Sequence, residues 1–576
     1  VYCGCMRILV LKSEDARRQL CDPHFLESWR SLFSECPWAA FSQTVEFVST
    51  WYEVYHSRFS PLLVCGYSEG GNLVGFLPLA LSMEGNELWP AGGQQGEYHG
   101  WLASPARSEQ FLGQALRELT GSLTQDRLTF RCLPPSTPVD WVQRRPFWGW
   151  NCLLKLQQRP LLKLSDLEHI AASFRKKSNK SRLNRLKKFG ELQFEQITSS
   201  LLNLEEFSSI TTAYDLRMGA IAGILPFHED ALKKQFYLKL LYQSGLLHMT
   251  ILRAGAFWVS AHIGGCTGKK EVYLGILAYS PFFAQYSPSK FHVFKLAEML
   301  SQQGFANFDL TPGGSYKERF ATHSDEVYGL EIFFRPAVYW RSLFTRFVRR
   351  AISGSLKSLG LPPEGLRKNL VKQLAARELR KLVFQKIEMK IFEFQCPQTE
   401  EPRAADVLAQ DRLGDLLDYM PLNAEQTRQA FFDQALRRIE SGSHFYTRVE
   451  DGKLIHCSWR LDAVNEFLVP DLDQRVVLPR DSAVVYGWWT HPHFRDETLS
   501  RAALVQTLRD VSSARGNKSA FVILCGDDQM MLDVVEALGG VHHSTVVARS
   551  VFGITWNKSQ KVEPPRTKMH AQETES

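Results

Sequence analysis

Between residues 287 and 320 the chain reads SPSKFHVFKLAEMLSQQGFANFDLTPGGSYKERF, and few arrangements accommodate such a run. Ser287 and Pro288 suit an N-cap and a first helical position, and Phe291, Phe294, Leu296, Met299 and Leu300 recur at helical spacing up to Gly304. A helix is therefore expected to start near Ser289. Its first turn carries unpaired N–H groups and the positive end of the helix dipole, which suits a phosphate where the preceding loop leaves room. Residues 305–310 then read as a buried strand ending at Asp309, and Thr311-Pro312-Gly313-Gly314 as a tight turn. Tyr316, Lys317 and Arg319 are expected to begin another helix.

Upstream, residues 29–55 read as two helices joined around Pro37. Strands at 61–67 and 73–81 flank the turn Glu69-Gly70-Gly71-Asn72 as a hairpin. A short strand at 87–89, a glycine-rich loop at 91–100, a helix at 111–123 and a strand at 127–133 complete a lobe, 6–160. A second lobe, 161–336, opens with a basic helix at 173–189 and a strand at 191–195, then helices at 201–217 and 228–243. Strands at 247–253, 256–264 and 271–276 feed the 287–320 stretch. This order is α+β with a mixed sheet, not a repeated βαβ winding. Residues 337–388 read as a basic linker of two amphipathic helices broken by Gly360 to Gly365. A third lobe, 389–558, holds a hairpin around Asp451-Gly452, a strand at 482–490, a helix at 499–513, a strand at 520–524 and a helix at 530–538. The polar tail 559–576 reads as disordered.

At 576 residues the chain exceeds one core, and its 44% hydrophobic and 22% charged content is that of an ordinary globular protein. Eleven cysteines without a CxxC pair argue for reduced thiols in a cytoplasmic setting and against a metal site. Cys3 and Cys5, the one close pair, precede Met6, which reads as the natural start. No apolar run is long enough to span a membrane, and no signal peptide is visible. The net charge of +7 is uneven: residues 335–390 hold 14 Lys/Arg against 3 Asp/Glu, a local +11. Residues 175–188 add eight positive residues and no acid. Both segments suit a phosphate-rich partner, and the linker suits peripheral contact with an anionic membrane.

The series SPS-x-F, then FDL-TPGG-x-YKERF, resembles the CelD/BcsL group of the GNAT acyltransferase superfamily, relatives of the FemAB transferases. Phe41-Ser42-Gln43, the run from Leu73 to Leu79, Gly92-Gly93 before Glu97-Tyr98, and Arg217 fit the same pattern in order. The resemblance covers about residues 41–334. It departs at Ser289, where glycine is usual, at Glu97, where aspartate is commoner, and at Tyr214, where a histidine often stands. It implies two tandem GNAT-like lobes forming a FemAB-type pair, with a third GNAT-like domain appended. The implied reaction is direct acyl transfer from acetyl-CoA or another acyl-CoA to a small-molecule or saccharide acceptor of a polysaccharide or cell-envelope pathway. Two rivals stand beside it: an aminoacyl-tRNA-dependent transferase and a non-catalytic scaffold of a polysaccharide-synthesis complex. The basic run 175–188 contains no aromatic residue to stack on bases, which argues against tRNA.

Acyl transfer needs a polarised carbonyl, a deprotonated nucleophile and both held together. Asp309 is the first candidate for base, or else it caps its own turn. Lys317 either neutralises a phosphate or is a solvated first-turn lysine. Tyr316 either protonates the leaving thiolate, as tyrosines do in this superfamily, or packs on the sheet. The resemblance places the donor along Tyr286, Ser287, Ser289 and Lys290. Glu97, Tyr98, Arg217, His262 and Tyr273 are candidates for acceptor contact, with helix surface the alternative for Arg217 and a structural histidine for His262. In the third lobe, Arg495-Asp496-Glu497-Thr498-Leu499-Ser500 stands where the superfamily carries its phosphate loop, and its two carboxylates would repel a diphosphate.

Overall fold

The computed structural model describes residues 6–85, 87–144, 151–243, 246–267, 271–358, 385–395, 408–422, 426–469, 472, 474–514, 519–551 and 554–561. The chain divides into two compact units. The first comprises Val1–Tyr214 and Pro226–Leu361, and the second Asp215–Leu225 and Pro362–Ser576.

The N-terminal unit is built on one mixed sheet of fourteen strands. In chain order these are β1 (Arg7–Lys12), β2 (Phe59–Tyr67), β3 (Leu73–Ser82), β4 (Leu88–Pro90), β5 (Leu102–Ala103), β6 (Arg127–Phe130) and β7 (Asn151–Lys163). They continue as β8 (Leu192–Ile197), β9 (Leu247–Ala254), β10 (Phe257–Thr267), β11 (Glu271–Tyr273), β12 (Ile276–Tyr279), β13 (Asn307–Asp309) and β14 (His323–Phe333). The spatial order is β1-β2-β3-β4-β6-β14-β7-β13-β11-β10-β9-β8, with β12 beside β10 and β5 beside β3. The expected lobe boundary at 160/161 falls inside β7, which pairs over its whole length with β14 and at its end with β13. The two halves thus share one uninterrupted sheet, joined at its middle by the β7–β14 ladder.

Each half contains a strand–helix–parallel strand crossover. In the first half, β4 leads through the helix Ser108–Ser122 to β6, parallel to β4. In the second, β11 and β12 lead through the helix Pro288–Gln302 to β13, parallel to β11. The helix begins at Pro288, one residue before the expected start, since Pro at the first position loses no bond there. Ser287 does not cap it through its side chain and adopts a left-handed φ of 54°. Three further expectations are corrected. After Thr311-Pro312-Gly313-Gly314 the chain makes only the 3-10 turn Ser315–Lys317 before returning as β14, so Tyr316, Lys317 and Arg319 do not begin an α-helix. The strand expected at 271–276 is two strands broken at Leu274-Gly275. The basic helix is also two, Glu168–Arg175 and Lys177–Leu186, separated where Lys176 turns to ψ 136°.

The C-terminal unit carries an eight-stranded mixed sheet. Its strands are β15 (Gln385–Gln395), β16 (Ala409–Gln410), β17 (His444–Glu450), β18 (Lys453–Val469), β19 (Gln474–Thr490), β20 (Ser519–Cys525), β21 (Val541–Val551) and β22 (Ile554–Lys561). They lie in the order β16-β17-β18-β19-β20-β15-β21-β22. Here too a crossover links β19 through the helix Glu497–Ser513 to the parallel β20. Of the expected linker, the helix Pro336–Ser358 lies in the N-terminal unit, 359–384 lie outside the described residues, and 385–388 already belong to β15. Residues 559–561 of the expected tail pair within β22, whereas 562–576, like 1–5, lie outside the described residues.

Candidate active site

Two residues of β10 face three of the opposite strand between the pairs Ile263–Ile276 and Cys266–Val272, which is a β-bulge. The bulge is fixed by two glycines. A Cβ at Gly264 would lie 1.9 Å from the Tyr273 carbonyl oxygen, and one at Gly275 would lie 2.7 Å from that of Ile263. Backbone therefore approaches backbone where the ladder breaks, and a narrow cleft opens over this point. Phe41, Phe47, Phe236, Leu240 and Ile263 make its walls apolar, while Gln95, Glu97, Tyr237 and Tyr273 supply its polar groups. Its free space, about 10 Å³, is at the threshold for one water, so a substrate must widen it.

Beneath the cleft Asp309 ends β13, fully buried between Tyr273 of β11 and Leu161 of β7. Its Oδ2 accepts from Tyr98 Oη (2.6 Å) and Arg159 Nη1 (3.0 Å), and its Oδ1 from the Thr311 amide (2.7 Å). Burial raises the Asp309 pKa, opposed by Arg159, Tyr98 and Thr311. Both oxygens of this carboxylate accept from protein donors, and the bond from the Thr311 amide matches the turn cap that stood as the alternative reading of Asp309. Arg159 holds it there while gripping Asp325 at 2.7 and 2.5 Å and reaching Glu271 at 3.4 Å. Burial works against the Arg159 charge, but these acidic partners outweigh it and raise its pKa.

Lys317 leans back over the same turn, donating to the Thr311 carbonyl (3.2 Å) and hydroxyl (2.7 Å). Burial lowers its pKa, and the charges of Glu97 and Asp309 oppose that shift. Glu97 has no hydrogen-bond partner among the described residues; it is exposed at the cleft, and the protein crowded around its carboxyl still raises that group's pKa by displacing solvent. Lys317 is the largest counteracting charge. Tyr98 and Tyr273 stack edge to face at 5.5 Å, and Ser42 donates to the Tyr98 carbonyl. The structure thus brings Glu97, Tyr98, Tyr273, Asp309 and Lys317 into one network.

Other expected residues lie elsewhere. His262 alternates away from Ile263 and faces the other side of the sheet, edge-on to Phe308 at 5.5 Å and near His292 of the Pro288 helix at 6.4 Å. It is a buried structural histidine, its pKa pushed well down by burial, and not a contact of the cleft. Arg217 lies on the helix Leu204–Ala222, in the part grouped with the C-terminal unit, and does not line the cleft. Tyr316 packs against the core cluster around the Pro288 helix, with Arg319 5.9 Å from its ring. Tyr286 is buried among Phe189, Phe283 and Phe291, with Arg185 over its ring.

At the start of the Pro288 helix the Ser289 hydroxyl oxygen is buried without a partner. Lys290, in the same turn, lines a concavity of about 290 Å³ with Lys176 and Arg319, and no carboxylate residue lines it. Burial lowers the Lys290 pKa, and Lys176, Arg182 and Arg319 push it the same way. Like charges gathered at the positive end of a helix dipole are unfavourable unless an anion joins them. Sequence reasoning missed Arg159 and Tyr237, whose partners at the site lie more than 50 residues away, and it gave Lys176 only as one of the basic residues of 175–188.

The region from residue 172 to 320 matches the family model described as acetyltransferase (GNAT) domain. This part of the chain is a GNAT-type acyltransferase domain. No curated protein matches the chain. Among solved structures it is similar to FemX (11% identity, 53% of this chain and 95% of that one, TM-score 0.39). It is also similar to the C-terminal domain of a putative lysylphosphatidylglycerol synthetase from Agrobacterium fabrum (13%, 56% and 95%, TM-score 0.36). A third is a tandem GNAT protein from the clavulanic acid biosynthesis pathway (11%, 58% and 99%, TM-score 0.34). Among the described residues no helix is long and apolar enough to cross a membrane, and no cluster of three or more His, Cys, Asp or Glu is placed to hold a metal.

Proposed function

We propose that the N-terminal unit transfers an acyl group directly from an acyl-coenzyme A, acetyl-CoA being the simplest, to an amine or hydroxyl of a small-molecule or saccharide acceptor. The observation that carries this reading is Glu97, an unpaired carboxylate of raised pKa facing the bulge between β10 and β11. A base works best when its pKa approaches the working pH, and the protein crowded around the exposed Glu97 moves it that way. In this reading Glu97 takes the proton of the acceptor as it attacks the thioester carbonyl held over the bulge, and coenzyme A leaves as the thiol. Asp309, Tyr98 and Arg159 are positioning residues. Asp309 fixes Thr311, and Thr311 fixes Lys317 beside Glu97. The phosphates of the donor rest against Ser289, Lys290, Lys176 and Arg319, a set of one orphaned hydroxyl and three cations that fits an anion. A setting in polysaccharide or cell-envelope synthesis follows from the CelD/BcsL resemblance alone.

Calorimetric titration of acetyl-CoA and coenzyme A into the full chain tests the donor. Binding weakened at least tenfold by K290E/R319E is the expected result. Silence from the wild type, with discharge of aminoacyl-tRNA instead, would move the reading to a tRNA-dependent transferase; silence in both assays favours a non-catalytic scaffold.

A further inference from the structure

The helix Pro336–Ser358 turns an aromatic stripe outward. Trp340, Phe344 and Phe347 follow one another at spacings of four and three residues, which places them on one helix face. They are 66%, 69% and 71% exposed, the highest exposures of any aromatic side chain in the described chain. The first three turns of the helix are held to the sheet. Its inner face is fastened to the sheet by Arg346 on Glu331 (2.5 Å) and by Tyr339 on Phe333 at 5.7 Å between ring centroids. Arg335, just before its first turn, is paired with Asp126 at 3.1 Å. Orientation is therefore fixed, and the stripe cannot be buried by rolling the helix without breaking those contacts.

Three adjacent, outward aromatic side chains exceed the scattered apolar exposure that an ordinary surface carries. Charge says what covers them. Arg341, beside Trp340, is exposed as well. The helix itself, residues 336–358, holds five Lys/Arg and no Asp/Glu. Aromatic side chains that reach to headgroup depth, backed by a dense positive charge, are complementary to an anionic lipid surface.

We propose that the Pro336–Ser358 helix docks the protein in the plane of an anionic membrane surface, with Trp340, Phe344 and Phe347 inserted at the headgroup boundary. This rests on the helix alone and stands whether or not the acyl-transfer reading does. The test is sedimentation of the full chain with vesicles of phosphatidylcholine alone and of phosphatidylcholine mixed equally with phosphatidylglycerol. At about 0.1 M salt, partitioning onto the mixed vesicles is expected to exceed that onto the neutral ones at least tenfold, and to fall as salt shortens the screening length. W340S/F344S/F347S should lower partitioning at least tenfold with an unchanged far-ultraviolet circular dichroism spectrum and melting temperature. R341E should lower it about fivefold, and carries the test if the triple variant misfolds. The proposal is overturned by a wild type that stays in the supernatant, as it would if residues 359–384 covered the stripe. It is also overturned by variants that partition as the wild type does, or by a triple variant whose sole effect is to turn a dimer into a monomer, which would give the stripe to a second copy.

Discussion

The crossover of the second half of the N-terminal unit and that of the C-terminal unit share a plan and differ in what fills it. In both, a bulged strand runs into a helix and returns as a parallel strand: β11 and β12 to β13 in one, β19 to β20 in the other. The second bulge lies at Gly487, where β18–β19 pairing shifts register between Cys457 and Trp459 and φ is 65°. There the space is taken by the chain itself. A Cβ at Gly487 would meet the Arg438 guanidinium at 2.6 Å, and Arg438 stacks on Trp459 and Tyr486, 5.1 Å from each. The helix start is filled too, because Asp496 Oδ1 accepts from the Leu499 amide at 2.7 Å, while Arg495 is paired with Asp528 at 2.6 Å. Over the first bulge stands the unpaired Glu97, and its helix start has no side-chain cap. One backbone plan thus serves either as a site or as a closed structural joint, according to whether its N–H groups and its bulge are met by the protein's own side chains.

The comparison breaks most sharply at Glu97. E97Q should lower turnover, measured as coenzyme A release, by about 10²–10⁴-fold with unchanged melting, the range for loss of a general base. In the wild type the rate should rise with pH through a value above the usual carboxylate range, since the base acts ionised and burial raises its pKa, and E97Q should flatten that limb. D496A, at the filled helix start, should leave turnover alone. Next, R159A strands three acidic side chains and should cost about 3–5 kcal/mol, read as a fall in chemical-denaturation midpoint.

Acid should separate the two units. Burial holds His99 and His292 neutral down to about 3, His262 well below its ordinary value and His248 below it, all in the N-terminal unit. In the C-terminal unit burial does the same to His456, to about 3, and more weakly to the half-buried His542. A depressed histidine stabilises fully above its unfolded value near 6.5, and that contribution drains away as pH falls from there toward the folded value. With more such groups, the N-terminal unit is expected to open first between pH 6.5 and 3, which hydrogen exchange resolved by peptide would detect. Equal opening of both units would sink this expectation. The smallest effect belongs to the cap: D496A should destabilise the C-terminal unit by about 1 kcal/mol.

Much of this was legible in the residues. Helical spacing from Phe291 to Leu300, the Pro at position 288 and the turn Thr311-Pro312-Gly313-Gly314 sufficed for the helix, the strand and the loop, because each is a local preference of the backbone. Asp496 was read only as an acid repelling a diphosphate, whereas the structure uses it to cap a helix that starts at Glu497, two residues before the expected 499. Tertiary structure alone decided the rest. Asp309 looked like a base in the sequence, yet Arg159 and Tyr98, 150 and 211 residues away, occupy it. Glu97 was placed among the acceptor contacts, and only the fold left it unpaired over the bulge. His262 stood between a groove contact and a structural histidine, and the two-residue alternation of β10 turned it to the face opposite the cleft. Local sequence determines which elements form and how they end; which carboxylate is spent on structure and which stays free is determined by long-range pairing, which carries no local signal.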